Sequence, residues 1–376
     1  MGHMLESTKD GAPARRPMVA PKAAVRIAGA LRTLLLRMAD RAVPSHIAVV
    51  ELGHRITGAY ILSALAELQI ADHLVNGPKT AGELAVLVNA DADALHRALR
   101  AAAVIGIVRL DRHGRFHATR LTAPLRAADP SAAGDWCRFV ASASAQAAWA
   151  DLAHSLRTGG SAFRRVHGVD TFSWFDAHPD EGRRFSAGLA GLTRAEAPMI
   201  AATYPFPERG LVCDVAGGTG VLLAEILRTR PGLRGVLIES PLVLQQAGRW
   251  LATQGLAHRV ELVEGDIFKP LKATADVYLL KWILHDWDDA ACTRIVKNVA
   301  ATMPTGARLV VIEGEQHRNQ PHPRFSMIDL QMLTMTEGGR ERSSDEMTTI
   351  LEQAGLRPSG VRHTATDLAL LEATAR

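Results

Sequence analysis

The chain has 376 residues, enough for two domains, and its 47% hydrophobic content supports ordinary buried cores. Its formal net charge of +4, from 43 basic and 39 acidic residues spread along the chain, demands no nucleic-acid partner. No apolar run reaches the roughly 18 residues of a membrane span and no secretory leader is evident, so the expectation is a cytoplasmic protein without a membrane partner. Cys137, Cys213 and Cys292 are too far apart to suggest disulfides or a zinc cluster, and no metal is expected.

Met1-Gly2-His3-Met4 reads as a cloning remnant, and residues 1–20 as a disordered arm. Six basic residues and no acid lie between Gly11 and Ala39, as in a transit peptide. Val25, Ala28, Leu31, Leu35 and Met38, however, recur at helical steps, which favours a basic amphipathic helix whose apolar face needs a partner. Residues 21–130 are read as a mainly helical domain. A helical pattern runs from His46 to Leu74 and stops at Asn76-Gly77-Pro78. Thr80 and Asp91 can cap two further helices, and Ile107–Leu110, Asp111–Gly114 and Arg115–Thr119 form a hairpin. Helix, helix, hairpin is a winged helix. Such a unit can read duplex DNA, but Asp91 and Asp93 would face the phosphates, and the same fold can serve as a dimer platform or a lid.

Residues 131–204 form a helical segment holding Trp136, Phe139, Trp149, Phe163, Phe172, Trp174, Phe175 and Phe185, eight of the chain's 18 aromatic rings (six Trp, three Tyr, nine Phe). These rings are either core or a pocket for a flat apolar ligand. Over 205–376 strands and helices alternate as in a parallel sheet. Five strands are expected at Leu211–Val215, Gly235–Ile238, Val260–Val263, Val277–Leu280 and Leu309–Ile312, followed by an antiparallel pair at Gly360–His363 and Leu368–Glu372.

The first strand of this unit runs into Asp214-Val215-Ala216-Gly217-Gly218-Thr219-Gly220 and then a helix. Glycines let the chain bend sharply and let a ligand approach the backbone. Glu239, about 20 residues on, is placed to accept hydrogen bonds from ribose hydroxyls. The G-x-G-x-x-G order of a pyrophosphate site and the Gly-Lys-Ser/Thr of a P-loop are missing, and Asp214 suits a cationic ligand better than a phosphate. S-adenosylmethionine (SAM), a sulfonium, fits these features. Asp266, after Glu264-Gly265, can accept from adenine or cap a helix. Trp287 can stack on adenine or be ordinary core.

His285 lies in Lys281-Trp282-Ile283-Leu284-His285-Asp286-Trp287, past the fourth strand and over the ligand crevice, where a general base is needed. An imidazole with a pKa near 6.5 is a suitable acceptor for the proton of a phenol, whose pKa is about 10. Glu313 and Glu341 can each hydrogen-bond the imidazole, or be a strand-end acid and a surface ion-pair partner. Asp288 or Asp289 would cap the following helix.

Taken with Arg157-Thr158-Gly159-Gly160-Ser161-Ala162-Phe163, His167-Gly168 and Gly338-Gly339-Arg340-Glu341-Arg342, these motifs make the chain from His46 onward resemble the bacterial and plant SAM-dependent small-molecule O-methyltransferases of the caffeate and hydroxyneurosporene type. The resemblance implies a Rossmann-like α/β SAM-binding C-terminal domain with a seven-stranded sheet. It also implies an N-terminal domain that forms a homodimer and contributes to the partner's pocket. His285 would be the base, flanked by Glu313 and Glu341. Thr193, Gly217, Glu239, Asp266, Ile267 and Lys281 would contact SAM, with Asp214, Gly218 and Gly220 shaping the turn and Trp287 beside it. Phe185, Leu189, Asp329 and Met332 would line the pocket for a hydroxylated, aromatic or polyene metabolite. Ala216 replaces a usual third glycine and Glu239 a usual aspartate, and both exchanges are expected to be mild, since alanine tolerates the usual backbone at that position and glutamate keeps the carboxylate one methylene further out. Leu189 stands where methionine is frequent. Two rival readings are a SAM-binding homologue catalysing a hydroxylation-type reaction and a SAM-sensing DNA-binding regulator.

Overall fold

The computed structural model describes residues 22–375; the remnant and the arm expected over residues 1–20 lie outside the described residues, as does the start of the basic stretch. Helices Lys22–Arg41 and Ser45–Glu67 lead into a short helix, Ile70–Leu74. The continuous helix expected from His46 to Leu74 is therefore interrupted, at Gln69, whose φ is +51°. Core packing explains the break. Leu65, Ile70 and Leu74 all bury in one cluster, whereas on a straight helix Ile70 would point roughly 140° away from Leu65.

Strand β1 (Lys79–Thr80), helices Ala81–Val88 and Ala92–Val104, and the hairpin of β2 (Val108–Leu110) and β3 (Arg115–Ala118) follow, in sheet order β1-β3-β2. Thr80 and Glu83 form a reciprocal capping box, and Asp91 accepts the N–H of Ala94 at 2.8 Å. Six helices then run from Ala133 to Thr203, ending in the 25-residue helix Pro179–Thr203. Their aromatic rings pack mostly on one another. Phe139, Phe163 and Phe175 are buried, and Trp136, Phe172, Trp174 and Phe185 are partly buried around them.

The C-terminal sheet contains β4 (Arg209–Val215), β5 (Gly232–Glu239), β6 (Val260–Glu264), β7 (Val277–Lys281), β8 (Arg308–Gly314), β9 (Arg357–His363) and β10 (Leu368–Thr374). The order is β6-β5-β4-β7-β8-β10-β9, with β4 to β8 parallel and β10 antiparallel to both neighbours. Both faces are buried: Cys213, Val215, Tyr278 and Leu280 point into one layer, and Val212, Val277 and Leu279 into the other. The winding reverses between β4 and β7, which opens a crevice beyond their carboxyl ends. Among the described residues no helix is long and apolar enough to cross a membrane.

Candidate active site

The turn after β4 is shaped by three residues in left-handed backbone conformations, Ala216 (φ +53°), Gly218 (+59°) and Gly220 (+78°). Ala216 is thus not the mild exchange that an ordinary backbone would have made it, because a Cβ is disfavoured there. Gly217 has a different reason to be glycine: an added Cβ would sit 2.3 Å from Cγ of Asp214. The Asp214 carboxyl lies beneath the turn, 1% exposed, and burial pushes its pKa up to about 7. Its Oδ2 is buried with no hydrogen-bond partner among the described residues. Glu239 braces the turn by accepting Gly218 N–H at 3.2 Å and Ser240 N–H at 2.7 Å.

Lys281, at the end of β7, donates to Thr193 Oγ1 at 3.0 Å and pairs with Glu196 Oε2 at 3.0 Å. The structure thus joins Thr193 to Lys281, and Gly218 to Glu239. Asp266 stands apart: its side chain accepts Phe268 N–H at 2.9 Å and pairs with exposed Lys269, in a turn rather than at a helix start. Ile267 packs half-buried on the core, and the Trp287 ring stacks on Phe172 with Phe268 edge-on. A crevice with a glycine cradle, an unpartnered Asp214 oxygen and the Glu239 carboxylate fits a nucleoside of positive charge, as SAM is. Phosphate would meet carboxylates here.

Beside this crevice the chain leaves β7 through Trp282, whose φ is +55°. Of the two roles open to Glu313, on β8, the structure has the strand-end one: its Oε1 accepts the N–H groups of Ile283 at 3.0 Å and Leu284 at 2.9 Å, because the tight turn leaves both amides in need of a partner. Glu341 is the orienting acid, with Oε1 2.8 Å from His285 Nδ1, and its own N–H is held by Asp329 at 2.8 Å. Nδ1–H therefore donates to Glu341, and Nε2 is left without a hydrogen-bond partner among the described residues. Asp286 Oδ1 lies 3.6 Å from Nε2, too far for a hydrogen bond.

Burial by itself favours the neutral ring, but the charges of Asp286, Glu341 and Glu313 outweigh it and raise the His285 pKa to about 10. Burial likewise pushes Asp286 up to about 6 and Glu313 up to about 7. Arg342, with its side chain fully buried, ties the loop down by donating to the carbonyls of Leu284 at 2.9 Å and Trp287 at 2.6 Å. Gly339 permits this approach, since its Cβ would meet the His285 carbonyl oxygen at 2.7 Å. Asp288 caps the next helix through Ala291 N–H at 2.7 Å, whereas Asp289 pairs with Arg340 and Arg342.

On the acceptor side, Phe185 packs between Phe139 and Phe175, with centroids 5.0 and 4.8 Å away. Leu189 is half-buried one turn further on, and Met332 is buried on helix Phe325–Met335, the helix that carries Asp329. Sequence reasoning assigned no role to Asp286, Arg342 or Glu196. The first two lie in motifs already singled out, and Glu196 has only the signal of an acid among apolar helix positions. No group of three or more His, Cys, Asp or Glu side chains among the described residues could hold a metal ion.

A parallel sheet reversing at β4 and β7, a glycine turn over a buried acid and a carboxylate-held histidine beside it define a Rossmann-like transferase of the class I SAM-dependent type. Residues 149–357 match the family model described as an O-methyltransferase domain. A phenazine O-methyltransferase of Lysobacter antibioticus is 35% identical over 321 residues, 85% of this chain and 94% of the relative. An aclacinomycin 10-hydroxylase of Streptomyces purpurascens is 33% identical over 334 residues, 86% and 89% of the two chains. The crystal structure of a methyltransferase of calicheamicin biosynthesis with bound S-adenosylhomocysteine (SAH) aligns with a TM-score of 0.75 at 32% identity, covering 88% of this chain and 98% of that one. The chain belongs to the SAM-dependent O-methyltransferase family, whose relatives here act on small molecules of secondary metabolism.

Proposed function

We propose that the chain methylates a hydroxyl of a small aromatic or polyene metabolite, a phenolic one where the acceptor is aromatic, with His285 as general base. The observation that carries this reading is the His285–Glu341 pair at 2.8 Å, set at the carboxyl end of β7 with Nε2 unbonded. Bound SAM supplies an electrophilic methyl group on its sulfonium. His285 takes the hydroxyl proton at Nε2 as the acceptor oxygen becomes nucleophilic, and Glu341 stabilises the imidazolium that forms. An imidazole of ordinary pKa is about three units too weak to deprotonate a phenol outright. The carboxylates around His285 raise its pKa to about 10 and close that gap. The same shift keeps the ring protonated at neutral pH, so kcat/KM is expected to keep rising into the alkaline range as the ring gives up its proton.

Thr193, Asp214, Gly217, Gly218, Gly220, Glu239, Asp266, Ile267, Lys281 and Trp287 are read as the cofactor side. Phe185, Leu189, Asp329 and Met332 are read as the acceptor side, and no metal takes part. The N-terminal helices support a homodimer, since Leu31, Leu34, Leu35, Val49 and Leu52 are each more than half exposed. Identity to a hydroxylase keeps one second reading, and SAH formed in proportion to methylated product separates the two. For the base, His285→Ala is expected to lose about 10²–10⁴ in kcat/KM while SAH affinity stays within a few-fold. Full turnover of a phenol by that variant at neutral pH sinks the assignment.

A further inference from the structure

Helix Pro179–Thr203 carries a buried acid to which no motif draws attention. Glu196 is 3% exposed, and its carboxylate gathers three donors: Lys281 Nζ at 3.0 Å and Trp282 Nε1 at 3.2 Å on Oε2, and Arg324 Nη2 at 2.5 Å on Oε1. Thr193, one turn earlier on the same face, receives the Lys281 ammonium as well. Three segments meet on this one side chain: the helix that links the aromatic segment to the sheet, the end of β7, and the residue that opens helix Phe325–Met335.

A salt bridge buried this deeply is weak evidence for stability, because apolar residues of similar volume often hold a fold as well or better. What the charge does locally is more telling. Lys281, at the end of β7, and Arg324, at the start of helix Phe325–Met335, are two cations that both lie against the Trp282 ring, 5.8 and 5.7 Å from its centroid. The same ring is 4.9 Å from the His285 ring, at the left-handed turn that sends the chain toward the base. Glu196 binds the indole N–H and so fixes that ring, while its negative charge offsets the two cations. Burial pushes the Glu196 carboxyl upward, but Lys281 and Arg324 outweigh it and keep the group ionised.

We propose that Glu196 is a positioning residue for the cofactor and the base: from the linking helix it sets Lys281 and the Trp282 turn, and it cancels positive charge so that a cation is accepted beside them. This rests on the reading that SAM binds beyond β4 and β7. SAM carries a net charge of +1 and SAH none, so a charge role separates the two ligands, whereas a packing role treats them alike.

The test is calorimetric binding of SAM and of SAH to the full chain and two variants. Glu196→Gln keeps the shape and is expected to lower the ratio of SAM to SAH affinity by about tenfold, the scale of one buried unit charge at an effective dielectric of about 20. Arg324→Met removes a cation and is expected to raise that ratio severalfold. Ratios that stay unchanged, or that move in the same direction in both variants, overturn the proposal. Arg324 is 35% exposed, so its variant decides alone if Glu196→Gln does not fold, and a ratio that fails to rise is then the overturning result. A wild-type chain that bound neither ligand would instead sink the cofactor reading, and this proposal with it.

Discussion

The two halves of the site are built in opposite ways. The cofactor turn is one contiguous run, β4 to Gly220, whose form is set by backbone angles and by the Asp214 carboxyl packed beneath it. The proposed base is assembled from remote segments: His285 and Asp286 after β7, Glu313 on β8, Asp329 on a helix and Glu341 in a loop. The property that the proposal asks of it is a pKa raised by surrounding charge. A steric lesion should therefore damage the first region, and a charge lesion of unchanged shape the second.

Gly217→Ala is the steric lesion, with a larger expected effect than the charge lesion. Its Cβ would lie within 2.8 Å of all three carboxyl atoms of Asp214, which is 1% exposed and cannot swing away into solvent. Overpacking of this kind costs about 1–3 kcal/mol, and the upper end corresponds to about a hundredfold in SAH affinity. The pH dependence of the residual activity should match that of the wild type. A variant with unimpaired SAH binding would show that the turn yields more easily than its packing implies.

Glu341→Gln is the charge lesion. It keeps the shape of the side chain at His285 Nδ1 and removes one of the three negative charges that raise the imidazole. A hydrogen bond to a charged group is worth about 1.5–3 kcal/mol, so on the alkaline plateau, where the wild-type ring is neutral in the resting enzyme, kcat/KM should fall at least about tenfold. At neutral pH, where the ring starts protonated, the loss should be smaller. The sign of the pH effect follows from the shift. With less opposing charge the ring loses its proton more readily, so the rise in kcat/KM should move to lower pH than in the wild type. SAH affinity should change little. If SAH binding falls and the pH profile stays put, the contrast between the two regions fails.

The same contrast explains what could be read from sequence. Every strand of the large sheet was expected, because apolar runs bounded by turns report directly on a doubly covered sheet. The glycine turn, Glu239 and His285 were legible as well, since each lies at a strand end. Three features were not. The break at Gln69 separates two apolar stretches of the same periodicity, and only the position of the core decides it. Glu313 was open between the imidazole and a strand-end place; it bonds two backbone amides, and residue types do not reveal which amides a turn leaves unpaired. Glu196 lies in no motif, and its three partners are the last residue of β7, the residue after it and the residue before helix Phe325–Met335. Charge networks joined across the fold leave no spacing to detect.

Ala216 tests the local side of the contrast with the smallest effect. Its φ of +53° places an L side chain in the left-handed region, in a turn whose other left-handed positions are glycines. That conformation costs about 1–2 kcal/mol for a residue with a Cβ, while replacement by glycine frees the unfolded chain at a cost of about 0.4–1 kcal/mol. Ala216→Gly should therefore stabilise the chain by roughly 0.5–1 kcal/mol, read as a higher urea midpoint at unchanged slope. SAH affinity should stay within about twofold, because the backbone hydrogen bond from Ala216 N–H to the Ile238 carbonyl at 2.9 Å survives the exchange. A lower midpoint would mean that the methyl group of Ala216 contributes more packing than its backbone loses in strain. The cofactor turn would then depend on side-chain contacts, as the base loop does.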